Sequence, residues 1–206
     1  MWQLFSQPEL LIIWLICIVY AITVHEFSHA YAAYKQGDMT ARDQGRLNLN
    51  PLSHIDWVGF MVLLLAGFGW GKPVPFNPYN LRNQKYGPVI ISLAGPLANI
   101  ISFLVFGFAL KILVLNNIIS TDNLLAQLLL YLIYINFILA VFNLIPLPPL
   151  DGSKVLYSVI PQRYQHVIVS LERYGPFILL FLVIFGGSVF FALFQTLFNF
   201  ALKIFG

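Results

Sequence analysis

The chain has 206 residues, 59% of them hydrophobic and 9% charged, with a formal net charge of +3. Soluble domains carry about 25% charged residues, whereas here 11 basic and 8 acidic side chains are set against 19 phenylalanines. This excludes an ordinary soluble domain and a nucleic-acid binder, and the single cysteine, Cys17, excludes an internal disulfide and a cysteine-built metal centre.

The loops are too short for a second domain, so residues 1–206 are expected to form one polytopic membrane domain in contact with the lipid bilayer. MWQLFSQPEL has neither a basic n-region nor a small-residue cleavage site, so the first apolar run is expected to be retained as an anchor. Pro8 and Glu9 precede a helix predicted over residues 10–34, which Gly37-Asp38 ends. In the polar stretch 38–56, RLNLN alternates apolar and polar residues and predicts a short edge strand stopped by Pro51. Residues 57–70 are apolar but marginal for a crossing, and suit a re-entrant or hairpin segment. The three prolines of GKPVPFNPYN preclude regular structure. Long apolar runs follow at 88–115, 124–150 and 176–198; the prolines at 146, 148 and 149 break the second, and Gly186-Gly187 marks packing or a bend in the last.

Charges orient this arrangement. Basic residues follow the first helix (Lys35, Arg42, Arg46), the short run (Lys72, Arg82, Lys85) and the 124–150 run (Lys154, Arg163, Arg173), while 116–123 has none. All three basic loops share the cytoplasmic side if 57–70 does not make a single crossing. The fold expected is therefore all-α and polytopic, with about four full transmembrane helices, a short re-entrant segment and a small membrane-associated β element. Both termini are expected outside.

Within the first helix stands VHEFSHA, residues 24–30. His25 and His29 are four apart and share one helix face, so their rings can converge on one metal ion while Glu26 reaches the water beside it. Two histidines and a glutamate in hydrocarbon are costly unless paired or metal-bound, which makes function their default reading. Ser28 can bond back to a helix carbonyl. A zinc site of this kind needs a third protein ligand. His54, Asp56, Asp122, Asp151, His166 and Glu172 are available. Topology favours Asp151, which ends the 124–150 run at the same depth as HEFSH, with Gly152 allowing a tight turn; His54 is the rival on the same side. In AGPLAN, Ala94, Gly95 and Ala98 offer a surface for close helix approach. Asn99 needs a partner in hydrocarbon, with ligand, loop backbone and substrate all open.

HEFSHA, AGPLAN and NLIPLPPLDG, in that order, resemble the site-2 protease family of intramembrane zinc metalloproteases. RLNLNPLSHIDWVG and GWGKPVPFNP resemble its compact bacterial branch, which lacks a PDZ domain. The resemblance covers residues 20–160, a catalytic core of about 10–160 with a further helix at about 176–198. It implies one Zn²⁺ bound by His25, His29 and Asp151, with Glu26 activating water and Asn143 helping to hold substrate or oxyanion. It assigns His54 no zinc-binding role, leaving it, like Asn99, a possible near-site or substrate-contacting residue. The expected activity is peptide hydrolysis in or near transmembrane segments of membrane proteins, in the plasma or inner membrane of a prokaryote, with the site toward the cytoplasm. The RLNLN edge would pair with unwound substrate. The alternative is a metal or ion transporter that uses the same His, Glu and Asp cluster; oligomeric state is open.

Overall fold

The computed structural model describes residues 6–206 apart from 68 and 121. Residues 1–5, on which the reading of the N-terminus as a retained start depends, lie outside the described residues, as do Phe68 of the short run and Thr121 of the neutral loop. The described chain is all-helical and polytopic in character: five helices are long and apolar enough to cross a membrane.

Helix α1 (Pro8–Lys35) begins on a proline, whose missing N–H costs nothing in a first turn, and ends before Gly37 at φ +99°. A short turn of helix, α2 (Thr40–Asp43), follows. Helix α3 (Trp57–Ala66) is capped by Asp56, which accepts from the Gly59 N–H at 2.8 Å, and is stopped by Gly67 at φ +76°. The chain then doubles back: a Cβ on Gly69 would lie 2.2 Å from the Gly59 carbonyl oxygen, so only glycine permits the return. Ten residues do not span a core of about 30 Å, and Trp57, Val58, Met61 and Leu65 point outward. The short run is a ten-residue helix from which the chain turns back, the shape expected of a re-entrant or hairpin segment.

Helices α4 (Gly87–Leu115) and α5 (Leu124–Asn143) pack with α1 into the body of the molecule. Cys17, fully buried, packs with Leu129 and Leu132 in a cluster bordered by Ile13, Tyr20 and Phe106. Helix α6 (Gly152–Val159) starts against the end of α5, where a Cβ at Gly152 would lie 2.3 Å from the Leu144 carbonyl oxygen. The chain turns tightly there, as expected, and the glycine serves by its lack of a side chain, its φ not being positive.

Two expectations are corrected. RLNLN forms no strand, and the β element shrinks to a single bridge between Ile55 and Gly71. Arg46 is 5% exposed while Leu49 is 60% exposed, the reverse of an apolar-in strand, and the Asn48 carbonyl accepts from His54 Nε2 at 2.7 Å. The Arg46 N–H and the Asn48 and Asn50 carbonyls, which a strand would offer its neighbour, are used locally. The final run, expected over 176–198, is two helices, α7 (Gln165–Phe185) and α8 (Gly187–Leu202), that meet at Gly186. Hydropathy alone placed the start of α7 too late, because its first ten residues are polar enough to read as loop yet continue through Pro176 as one helix. Phe194 packs on Phe142, Phe198 on Tyr134, and Phe205 on Phe103 and Phe108. Residues 203–206 therefore lie toward the end of the bundle that carries 116–123, away from the histidines.

Candidate metal centre

The ladder of α1 places His25 and His29 on the face turned toward α4, where a bulky residue would have no room. A Cβ on Gly95 would sit 2.5 Å from His29 Nε2 and 2.7 Å from His25 Cε1. The small surface of AGPLAN is thus a seat for the two imidazoles.

Each ring is oriented by its other nitrogen. His29 Nδ1 lies 2.7 Å from the Ile91 carbonyl, which can only accept, so Nδ1 carries the hydrogen. His25 Nδ1 lies 2.6 Å from Asn99 Oδ1, and the Asn99 amide nitrogen donates to the Ala21 carbonyl at 3.1 Å. In the neutral rings this tautomer leaves both Nε2 atoms with bare lone pairs. They stand 3.0 Å apart, and Asp151 Oδ2 lies 3.1 Å from His25 Nε2 and 3.2 Å from His29 Nε2. Asp151 Oδ2 is buried with no other partner; with both rings neutral, its closeness to them is an encounter of three acceptors. Such a cluster repels itself unless a cation sits among its members. Two atoms each about 2.0–2.2 Å from a tetrahedral zinc stand roughly 3.4 Å apart, close to all three edges here. The donor set of two imidazoles and a carboxylate fits zinc, and it is the only such cluster of three among the described residues.

The centre opens into a cavity of about 530 Å³ that also receives Glu26 and Asn143. Glu26 Oε1 lies 3.1 Å from where a Cβ of Gly71 would be, so the strap formed by 69–77 runs directly past the carboxylate. Asn143 Nδ2 donates to the Leu139 carbonyl at 2.9 Å. The opposite wall is Pro176, Leu179 and Leu180 of α7. Ser28 bonds back to the Val24 carbonyl at 2.7 Å and stays out of the cluster.

The other residues considered as a third ligand are elsewhere. Asp56 caps α3, Glu172 pairs with Lys154 at 3.3 Å, His166 lies in the first turn of α7, and Asp122 lies in the turn between α4 and α5. His54 is fully buried and is not among the residues lining this cavity; it ties down the strap, its carbonyl accepting from the Lys72 N–H at 2.8 Å. Burial, reinforced by the neighbouring Arg46 charge, holds the His54 imidazole below its ordinary pKa despite the bond to Asn48, and favours the neutral ring. Asn99 is also fully buried, and its partners are His25, Ala21 and Asn136.

Sequence reasoning missed the residues that hold the strap. Arg46 donates to the carbonyls of Lys72 at 2.6 Å and Pro73 at 3.0 Å. Asp38 accepts from the Asn77 N–H at 2.7 Å, from Asn80 Nδ2 at 3.1 Å and from Thr40 Oγ1 at 2.6 Å. Burial alone would raise the Asp38 carboxyl, but these donors outweigh it and hold it below the ordinary range. No local pattern distinguishes these two residues from solvated loop charges. Asn136 did carry a signal, being a lone carboxamide within the apolar run LLLYLIYINFILAVF.

Comparison with known proteins agrees with this geometry. The family model described as Peptidase family M50 matches residues 111–186. The Bacillus subtilis protein named "Putative zinc metalloprotease YwhC" is 38% identical over 180 residues, covering 84% of this chain and 82% of its own. A Methanocaldococcus jannaschii protein, "Putative zinc metalloprotease MJ0611", is 31% identical over 162 residues, 74% of this chain and 75% of its own. "Putative zinc metalloprotease Rip2" of Mycolicibacterium smegmatis is 28% identical over 172 residues, 80% of this chain and 63% of its own. No solved structure matches the chain. Because the identity to the Bacillus subtilis relative extends over most of both chains, this chain belongs to peptidase family M50, and it is a zinc metalloprotease of the site-2 protease type.

Proposed function

We propose that this chain is an intramembrane endopeptidase that cleaves peptide bonds in or near the transmembrane segments of other membrane proteins. The observation that carries this reading is the meeting of three bare acceptor atoms at 3.0–3.2 Å, deep in apolar helices, on a cavity shared with a free-standing glutamate side chain. One zinc ion, held by His25, His29 and Asp151, would supply a Lewis acid and a more acidic water at neutral pH. Glu26 takes a proton from the attacking water and returns it to the amine as the peptide C–N bond breaks. Asn143, on the same wall, donates to or positions the substrate carbonyl.

A helical substrate buries its carbonyls in its own hydrogen bonds and must unwind before attack. RLNLN is folded into turns, with the Asn48 carbonyl taken by His54, and so offers no ready-made strand edge. The extended strap 69–77, which lines the cavity, is the backbone an unwound segment meets.

Basic residues support a site toward the cytoplasm. Nine of the eleven lysines and arginines lie in segments at the histidine end of the bundle, and only Lys111 and Lys203 lie toward the other. In this reading the chain resides in the plasma or inner membrane of a prokaryote.

The test is cleavage of a single-span substrate by the full chain reconstituted in liposomes. Cleavage should require zinc and vanish in Glu26→Gln with zinc retained. Zinc flux across the liposome that survives Glu26→Gln, without proteolysis, would instead establish a transporter.

A further inference from the structure

Behind the histidines runs a second line of polar groups that hydrolysis does not use directly. Asn99 and Asn136 are both fully buried, on α4 and α5, in the middle of helices that face hydrocarbon. Asn136 Nδ2 donates to the Leu132 carbonyl at 2.8 Å, and Asn136 Oδ1 accepts from Asn99 Nδ2 at 2.8 Å. The other Asn99 N–H goes to the Ala21 carbonyl at 3.1 Å, and Asn99 Oδ1 accepts from His25 Nδ1 at 2.6 Å.

Two backbone carbonyls fix the direction of the whole chain, because a carbonyl can only accept. The Leu132 carbonyl obliges Asn136 to turn its amide inward along its own helix, which leaves its oxygen facing Asn99. The Asn136 oxygen and the Ala21 carbonyl then occupy both hydrogens of the Asn99 amide, which leaves only the Asn99 oxygen for His25. His25 must answer with an N–H at Nδ1, which in the neutral ring leaves Nε2 bare. Reversing either carboxamide would set oxygen against oxygen in a dry interior. His29 has no such relay; a single backbone carbonyl, that of Ile91, orients it.

We infer that Asn136 is a positioning residue for the metal centre, acting through Asn99 to hold His25 in the tautomer that leaves Nε2 free to ligate. The inference rests on the zinc reading above, and the experiment separates the two.

Zinc affinity is measured by chelator competition on the full chain in lipid nanodiscs, for wild type, Asn99→Leu, Asn136→Leu, the double variant and His25→Ala. The Nδ1–H resonances of both histidines are followed in the zinc-loaded, nitrogen-15-labelled protein. Asn99→Leu should weaken zinc binding roughly 10–100-fold, and Asn136→Leu by a smaller factor, roughly tenfold or less. In the Asn99→Leu background the second substitution should add nothing. Asn136→Leu should displace the His25 resonance and leave that of His29 in place. Equal losses in both backgrounds, or joint displacement of both histidines, would overturn the relay, since a packing defect behaves that way. If Asn136→Leu does not fold, the wild-type chain decides: both Asn99 amide protons must resist exchange with water, and rapid exchange of either overturns the relay. His25→Ala should abolish zinc binding. Undiminished affinity there overturns the zinc reading itself, whereas loss there with no effect of Asn99→Leu or Asn136→Leu overturns the relay alone.

Discussion

Helices α1, α4 and α5 and the last pair, α7 and α8, are all long and apolar enough to cross a membrane, but they are built to different standards. The first three interlock, and they bury histidine, asparagine and serine side chains with partners assigned to each of the polar groups behind the metal ligands. Helix α7 buries only Gly175 and Leu179 along 21 residues, and α8 only Phe194 along 16. Both regions meet at the cavity, one side supplying ligands and the other supplying Leu179 and Leu180. A site that must hold three donor atoms within a few tenths of an ångström needs the first kind of packing. A wall that supplies only apolar lining, as α7 does with Leu179 and Leu180, can be of the second kind.

The contrast makes its largest prediction at Glu26, where Glu26→Gln should lower cleavage roughly 10²–10⁴-fold in a discontinuous assay while zinc content stays unchanged. Next is Gly95→Ala. The added methyl group would fall 2.5 Å from His29 Nε2, so zinc affinity should drop by more than tenfold in chelator competition, whereas Gly187→Ala in α8, with nothing within 4 Å, should leave it unchanged. Equal effects at the two glycines would erase the distinction between the regions.

A smaller effect is expected where Arg46 and Asp38 pin the strap. Arg46→Met leaves the Lys72 and Pro73 carbonyls unpaired, at about 1–3 kcal/mol, and should raise hydrogen exchange in 69–77 without loss of zinc. Acid should loosen the same strap in two stages. The His54 imidazole has a lowered pKa in the folded chain, so the unfolded strap binds more protons. The stability His54 contributes is complete above about pH 6.5 and falls away as pH drops through the folded value. Asp38, whose folded pKa is also lowered, contributes fully above about pH 4 and loses its contribution below that. Protection of the 69–77 amides relative to their intrinsic exchange rates should therefore fall on acidification, first below about pH 6.5, and His54→Phe should remove that first stage. The smallest effect belongs to α8: Phe198→Ala loses edge contacts to Tyr134 and Phe137 and should change substrate turnover more than zinc affinity.

The legible part of this chain was its chemistry at fixed spacing. The i, i+4 histidines, the intervening glutamate and the aspartate after a proline-broken helix can each be read without knowing which helices touch. The membrane class and the re-entrant nature of 57–70 followed from composition and loop charge for the same reason. What could not be read depends on two segments meeting. That Gly95 is a seat for imidazoles, and that Asn99 answers His25, requires the register of α4 on α1. The five residues of RLNLN alternate as a strand does, but so short a pattern was overruled by single tertiary bonds from His54 and Arg46. Gly186 was visible as a bend, whereas the amphipathic start of α7 was hidden because hydropathy averages polar and apolar faces together.

The central claim is that a ligand from the α5–α6 junction closes a site opened by α1. Its most direct test is zinc-edge X-ray absorption on the full chain carrying Asp151→Cys. With Cys17 fully buried and away from the centre, a zinc–sulfur distance of about 2.3 Å beside two imidazole nitrogens at about 2.0–2.1 Å is the result the geometry predicts. A zinc shell in that variant with both imidazoles and no sulfur, at undiminished affinity, would contradict it.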